Sequence, residues 1–139
     1  MSPQDLWRGL LEDRSDWLDV EASDEFHRAT RFRCGRGWLP VIGALLDEIE
    51  PIVRATGVKA LLFLMHIDPG GLHVVDGWLP DRDAMTTVRD ACDRATARSR
   101  ITCETCGAQG RPREREGYSL IRCDRHAGEG TEDIDGGWN

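Results

Sequence analysis

No apolar run in this 139-residue chain exceeds the six residues of Ala60–Met65. That is far short of the roughly 20 a helix needs to cross a bilayer. No basic-then-apolar segment opens the sequence, so a cytoplasmic location and no membrane partner are expected. The usual catalytic signatures are missing as well. There is no Gly-rich phosphate loop, no nucleophile elbow and no His-Glu-x-x-His helix. Serine, histidine and acidic residues are scattered without the spacing of a triad. Cysteines number five, an odd count, and three fall in one metal-ligand pattern. The other two, Cys34 and Cys92, are expected to stay thiols in a reducing compartment.

What is present is a soluble composition, 40% hydrophobic and 31% charged, in a chain long enough for one domain with an appended motif. The net charge of −7 is unevenly placed. Residues 1–93 hold ten basic and seventeen acidic side chains, whereas 94–126 hold eight arginines against four acids. Residues 127–139 add four acids and no base. An acidic chain is repelled by nucleic acid, so any such contact would have to use the basic stretch alone.

The chain divides into an N-terminal helix and acidic loop (1–25), an α+β core (26–99), a metal ribbon (100–127) and an acidic tail expected to be disordered (128–139). Ser2-Pro3-Gln4-Asp5 has the pattern of a helix start. Trp17 and Leu18 offer a local anchor in residues 13–24, a loop or short helix. Phe26, Thr30 and Phe32 recur at even spacing, which predicts a half-buried strand over 26–34. Trp38, Ile42, Leu45, Leu46, Ile49 and Val53 follow helical spacing, and Pro51 is expected to end or kink that helix. Val58–Ile67 reads as a buried strand, Asp68–Gly71 as a turn and Leu72–Trp78 as the antiparallel return. A second helix, about 81–98, has Ala84, Met85, Val88, Ala91, Cys92 and Ala95 as its inner stripe. Gly-Trp-Leu-Pro occurs at 37–40 and again at 77–80, each expected to be a strand-to-helix entry with tryptophan stapling helix to sheet.

The strongest chemical signal is Cys103-x2-Cys106-x16-Cys123-x2-His126. Each short hook places two ligands on one tight turn, and two hooks close a tetrahedron around one structural zinc ion. Gly107 follows the first hook, where a positive φ is wanted. Three thiolates and an imidazole leave no open coordination position. The polar loop between the hooks could not fold on a core of its own, and structural zinc contributes on the order of 10 kcal/mol to such a segment.

Two further constellations are weaker. With a four-residue turn at 68–71, His66 would face His73 across the hairpin with Asp68 nearby, a second metal or acid–base site. The bland alternative is a pair of part-solvated histidines at a strand end. Arg111, Arg113 and Arg115 alternate along the ribbon, with Arg122 close by, and could track a phosphate backbone with Tyr118 to stack on a base. The alternative is a solvated face balanced by Glu114 and Glu116.

Cys-Gly-Arg-Gly-Trp-Leu-Pro (34–40), Gly70-Gly71-Leu72, Cys-Glu-Thr-Cys-Gly-Ala-Gln-Gly (103–110) and Cys-Asp-Arg-His-Ala (123–127) together resemble a group of small uncharacterised proteins of bacteria and their phages. The resemblance spans roughly residues 26–127 and implies a zinc ribbon behind a small α+β domain, with no established activity. Members carry Lys-Phe before the Gly-Gly-Leu and an Arg-aromatic pair after it. This chain has Asp68-Pro69 and His73-Val74 there. The sequence reading is therefore an α+β protein with a small antiparallel sheet, two main helices and a C-terminal zinc ribbon. Its expected role is non-enzymatic, with another protein as partner, nucleic acid being the alternative and an enzyme at the hairpin the third.

Overall fold

The computed structural model describes residues 3–30, 35–66, 71–76, 79–115 and 118–127. The chain is an α+β protein. Helices α1 (Pro3–Glu12), α2 (Val20–Thr30), α3 (Leu39–Thr56) and α4 (Arg82–Ser99) accompany two antiparallel hairpins, β1 (Leu62–His66) with β2 (Leu72–Asp76), and β3 (Arg111–Arg115) with β4 (Tyr118–Arg122). Among the described residues no helix is long and apolar enough to cross a membrane.

Helix α3 is the central beam. Val41, Ile42, Leu45, Leu46, Ile49 and Val53 are all buried on one face, and each contributes roughly 2 kcal/mol by leaving water. Of the two outcomes expected at Pro51, an end or a kink, the end is corrected: the helix continues to Thr56. Pro51 itself is on the exposed side, and burial of Val53 beyond it offsets the lost backbone bond. The stop comes at Gly57, whose φ of +76° and N–H to the Arg54 carbonyl make a left-handed cap. Arg94 of α4 pairs with Glu48 across the α3–α4 contact, and Arg14 reaches Asp47 at 2.9 Å.

The expected strand over 26–34 is a correction. Residues 20–30 are helical, and 31–34 lie outside the described residues. The buried positions of α2 are Ser23 and His27, one helical turn apart, and both are polar. A reading by apolar alternation passes over them. They serve the sheet instead. The Ser23 hydroxyl accepts the Leu62 N–H at 3.4 Å, and His27 Nε2 accepts the Leu64 N–H at 2.9 Å. On the other side, Leu72 N–H donates to the Ser99 hydroxyl of α4 at 2.8 Å. Among the described residues the sheet has two strands, and helix side chains accept three of its backbone N–H groups. A two-stranded sheet is marginal alone; here α4 packs against both β2 and α3, and Ser99 ties it to β2.

β1 begins at Leu62, later than the apolar run suggests. Val58 is exposed, and Ala60 makes an isolated parallel bridge to Leu18. Trp17 and Leu18 are buried there and close the turn between α1 and α2. Asp81 caps α4 by accepting the Asp83 and Ala84 N–H groups.

Candidate metal centre

The ribbon begins where α4 ends. Gly110 N–H reaches the Ile101 carbonyl at 2.8 Å, and Thr102 bridges Gln109, so residues 101–110 close on themselves. Inside that loop Gly107 N–H bonds the Cys103 carbonyl at 2.9 Å with φ +82°, which turns the first hook tightly. The second hook leaves β4 directly. Cys123 caps a 3-10 turn, Asp124–His126, and His126 N–H bonds the Cys123 carbonyl at 3.1 Å. The two turns face each other and bring Cys103, Cys106, Cys123 and His126 together, with one donor atom from each within 4.8 Å of the others.

Their spacing matches a tetrahedral ion. With sulfur at about 2.3 Å and nitrogen at about 2.0 Å from zinc, tetrahedral edges are about 3.8 Å between sulfurs and about 3.5 Å between sulfur and nitrogen. Cys106 and Cys123 sulfurs lie 3.7 Å apart, and His126 Nδ1 lies 3.2 Å from the Cys123 sulfur and 3.8 Å from that of Cys103. Three sulfurs and an imidazole suit a tetrahedral ion such as zinc.

Electrostatics agree. Burial opposes ionisation of Cys103, but backbone N–H groups of Cys123, Cys106 and Thr105 aimed at its sulfur outweigh it and bring its pKa down to about 6. Cys123 is likewise lowered: burial works against it, and His126 wins. For Cys106 the Ala108 N–H favours the thiolate, yet burial and the neighbouring Cys123 and Cys103 sulfurs push it up. Three thiolates repel one another, and a divalent cation is what removes that penalty.

The hook is seated on the body by residues that the sequence reading assigned otherwise. Gly37 N–H donates to the Glu104 carbonyl at 2.9 Å, and Trp38 Nε1 donates to the Thr102 carbonyl at 3.0 Å. Trp38 thus staples the α3 entry to the metal loop, through a 3-10 turn (Arg36–Trp38). Gly35 and Gly37 are obligatory for this approach: an added Cβ would stand 2.2 Å from the Glu104 carbonyl oxygen and 2.0 Å from that of Cys103. The Gly-x-Gly-Trp run was the available signal. Of the second copy, residues 77 and 78 lie outside the described residues.

Beneath the hook, Glu104 and Arg122 form a buried ion pair at 3.3 Å. Glu104 also accepts the Ile121 N–H, and its own N–H bonds the Ile121 carbonyl at 2.9 Å. Burial raises the Glu104 carboxyl to about 7, against the pull of Arg122. Ile121 itself joins the main core. This pair had no sequence signal, because a Glu between two ligand cysteines and an Arg at a strand end look like surface residues.

The other sequence-flagged residues are arranged differently from expectation. Arg122 is 1% exposed and turned inward, so it does not stand with the surface arginines. Arg113 donates to Asp124 at 2.6 Å and to the Arg122 carbonyl at 2.9 Å, and Arg111 lies 3.6 Å from Asp124. Arg115 occupies the β3 position opposite Tyr118. In the first hairpin the register is one residue away from that expected: His66 stands opposite Leu72, and His73 opposite Met65. The two histidines are not cross-strand partners, so the pairing behind a second metal site is corrected; Asp68 lies outside the described residues. The expected register followed from a four-residue turn at 68–71, and a shift of one residue changes every cross-strand partner.

Comparison with family models, with curated proteins and with solved structures finds no match to this chain.

Proposed function

We propose that this chain is a zinc-stabilised, non-enzymatic accessory protein whose ribbon presents a docking surface for another protein. The observation that carries this is the closure of the metal centre. Four protein donors lie within 4.8 Å of one another, so an ion held by all four would have no vacant position for a substrate and would act as a structural clamp. Zinc is the ion that this donor set and spacing suit best. The centre is fastened to the α3 entry by Gly37 and Trp38 and to the core by Ile121, which makes the ribbon a fixed face of the body and not a loose arm. A fixed face is what protein docking requires at low ordering cost.

Nucleic acid is the second reading, through Arg111, Arg113 and Arg115. Asp124 already neutralises part of that charge, and Arg122 is withdrawn from the surface, which is why it ranks second.

Two measurements test the pair. Metal analysis of the purified chain is expected to give one zinc per chain. Capture of a partner from the native host is expected to be lost in an Arg111→Glu, Arg113→Glu variant that still holds its zinc. Binding to single-stranded DNA or RNA that weakens steeply between about 50 and 200 mM salt would move the reading to nucleic acid. A chain without tightly bound metal would end both.

A further inference from the structure

The three cysteine ligands differ sharply in exposure. Cys103 is fully buried beneath the Gly35–Trp38 segment, Cys123 is half-buried, and Cys106 is exposed on its turn. Cys106 and Cys123 also belong to different hooks, yet their sulfurs are 3.7 Å apart. A hydroperoxide arriving from solvent therefore meets Cys106 first, and Cys123 is a sulfur already within reach to respond.

From this geometry we propose that Cys106 and Cys123 are an oxidation site: a hydroperoxide converts them to a disulfide and expels the metal, so that the ribbon's order depends on the redox state. The inference rests on the zinc reading above and deepens it by naming a regulation of the same centre.

The chemistry balances with hydrogen peroxide as oxidant. The Cys106 thiolate attacks one peroxide oxygen, the O–O bond breaks, and a sulfenic acid forms as hydroxide leaves. The Cys123 thiolate then attacks the Cys106 sulfur, the S–S bond forms, the S–O bond breaks and a second hydroxide leaves. Two thiolates supply two electrons, and two solvent protons turn the two hydroxides into water. The ion loses two of its four donors. Cys103 and His126 alone cannot retain it at the affinity of a structural site.

Selectivity follows from the same geometry. A solvent oxidant that reaches Cys106 cannot reach the sulfur of Cys103, which is fully buried. Its backbone carbonyl lies under Gly37, so a Cys103–Cys106 bridge would pull the hook from its seat. Cys92 is 1% exposed on the inner face of α4, closed to a solvent oxidant.

The test uses the full chain, zinc-loaded and treated with graded hydrogen peroxide. Zinc release is followed with a chromogenic chelator, and cysteine pairing by alkylation and peptide mapping. One zinc should be released per chain, together with a Cys106–Cys123 cross-linked peptide, while Cys103 and Cys92 are recovered as thiols. Dithiothreitol and added zinc should restore the metal content. A bridge through Cys34, Cys92 or Cys103, a sulfinic acid at Cys106 without a bridge, or zinc retained after Cys106 is oxidised would overturn the proposal. Zinc content before peroxide is added judges the metal reading separately, and the mapping judges the pairing in either case.

Discussion

Replacing Gly37 with alanine probes the joint between body and metal loop. The new Cβ would stand 2.0 Å from the Cys103 carbonyl oxygen and 2.5 Å from the Gly107 nitrogen, both backbone atoms. Ordinary contact begins at 3.4 Å, so the segments must part by about 1.4 Å. Two hydrogen bonds are then lost, from Gly37 N–H to Glu104 and from Trp38 Nε1 to Thr102, at about 1 kcal/mol each. Strain of roughly 1–3 kcal/mol from the overpacked contact adds to this. The expected loss is about 3–5 kcal/mol, read as a shift in urea midpoint at saturating zinc with an unchanged slope. Gly43→Ala is the matched control. It lies within α3 with nothing near its added Cβ, and alanine there should stabilise by roughly 0.5–1 kcal/mol. Zinc affinity, measured by chelator competition, should fall at least tenfold in Gly37→Ala and hold in Gly43→Ala. If Gly37→Ala matches the parent within half a kcal/mol, or loses stability with unchanged zinc affinity, the joint is not where the geometry places it.

Three further outcomes are expected. His27 is held neutral by burial, with a pKa of about 4 in the fold against an ordinary 6.5, Asp24 opposing the shift; its Nε2 is an acceptor and cannot carry a proton without breaking the bond to Leu64. Its stabilisation is complete above about pH 6.5 and is lost as pH falls through the window to about 4, roughly 3 kcal/mol in all; thermal unfolding across that range should show this slope, flattened in His27→Gln. Arg122→Leu leaves the Glu104 carboxyl without its cation in a buried site and should cost about 3–5 kcal/mol, whereas Arg122→Leu with Glu104→Gln should recover part of it by denaturant melts. Cys106→Ser should abolish tight zinc binding and speed amide exchange across residues 101–127, with protection in α3 changed far less; unchanged exchange in the ribbon would contradict the metal's role.

The sequence was most legible where one physical rule acted alone. Helical spacing of Trp38 to Val53 and of Ala84 to Ala95 located α3 and α4, because these faces bury only apolar groups or small residues. The hook spacing located the four clustered donors, because tetrahedral ligation demands short turns. It was least legible where polar groups are buried. Ser23 and His27 face the core for the sake of sheet donors, and a hydrophobic pattern cannot register them, so a helix read as a strand. The pairing of Glu104 with Arg122 was hidden for the same reason, since by pattern Arg122 belongs with the surface arginines. The register of β1 with β2 depended on a turn guess, and a slip of one residue was enough to separate His66 from His73.

The way α2 and α4 meet the first hairpin has a further consequence for how this protein behaves in company. An unguarded edge strand is a template on which a neighbouring molecule can lay its own backbone, the first step towards fibrils. Here the outward donors at Leu62, Leu64 and Leu72 are engaged by Ser23, His27 and Ser99. These strands are rich in leucine and valine and carry few charges to repel an intruder. Protection comes from hydroxyl and imidazole caps delivered by helices. Alanine at Ser23 and Ser99 together would leave the core apolar and the fold recognisable while freeing one donor on each flank, at Leu62 and Leu72, and should raise the tendency to aggregate.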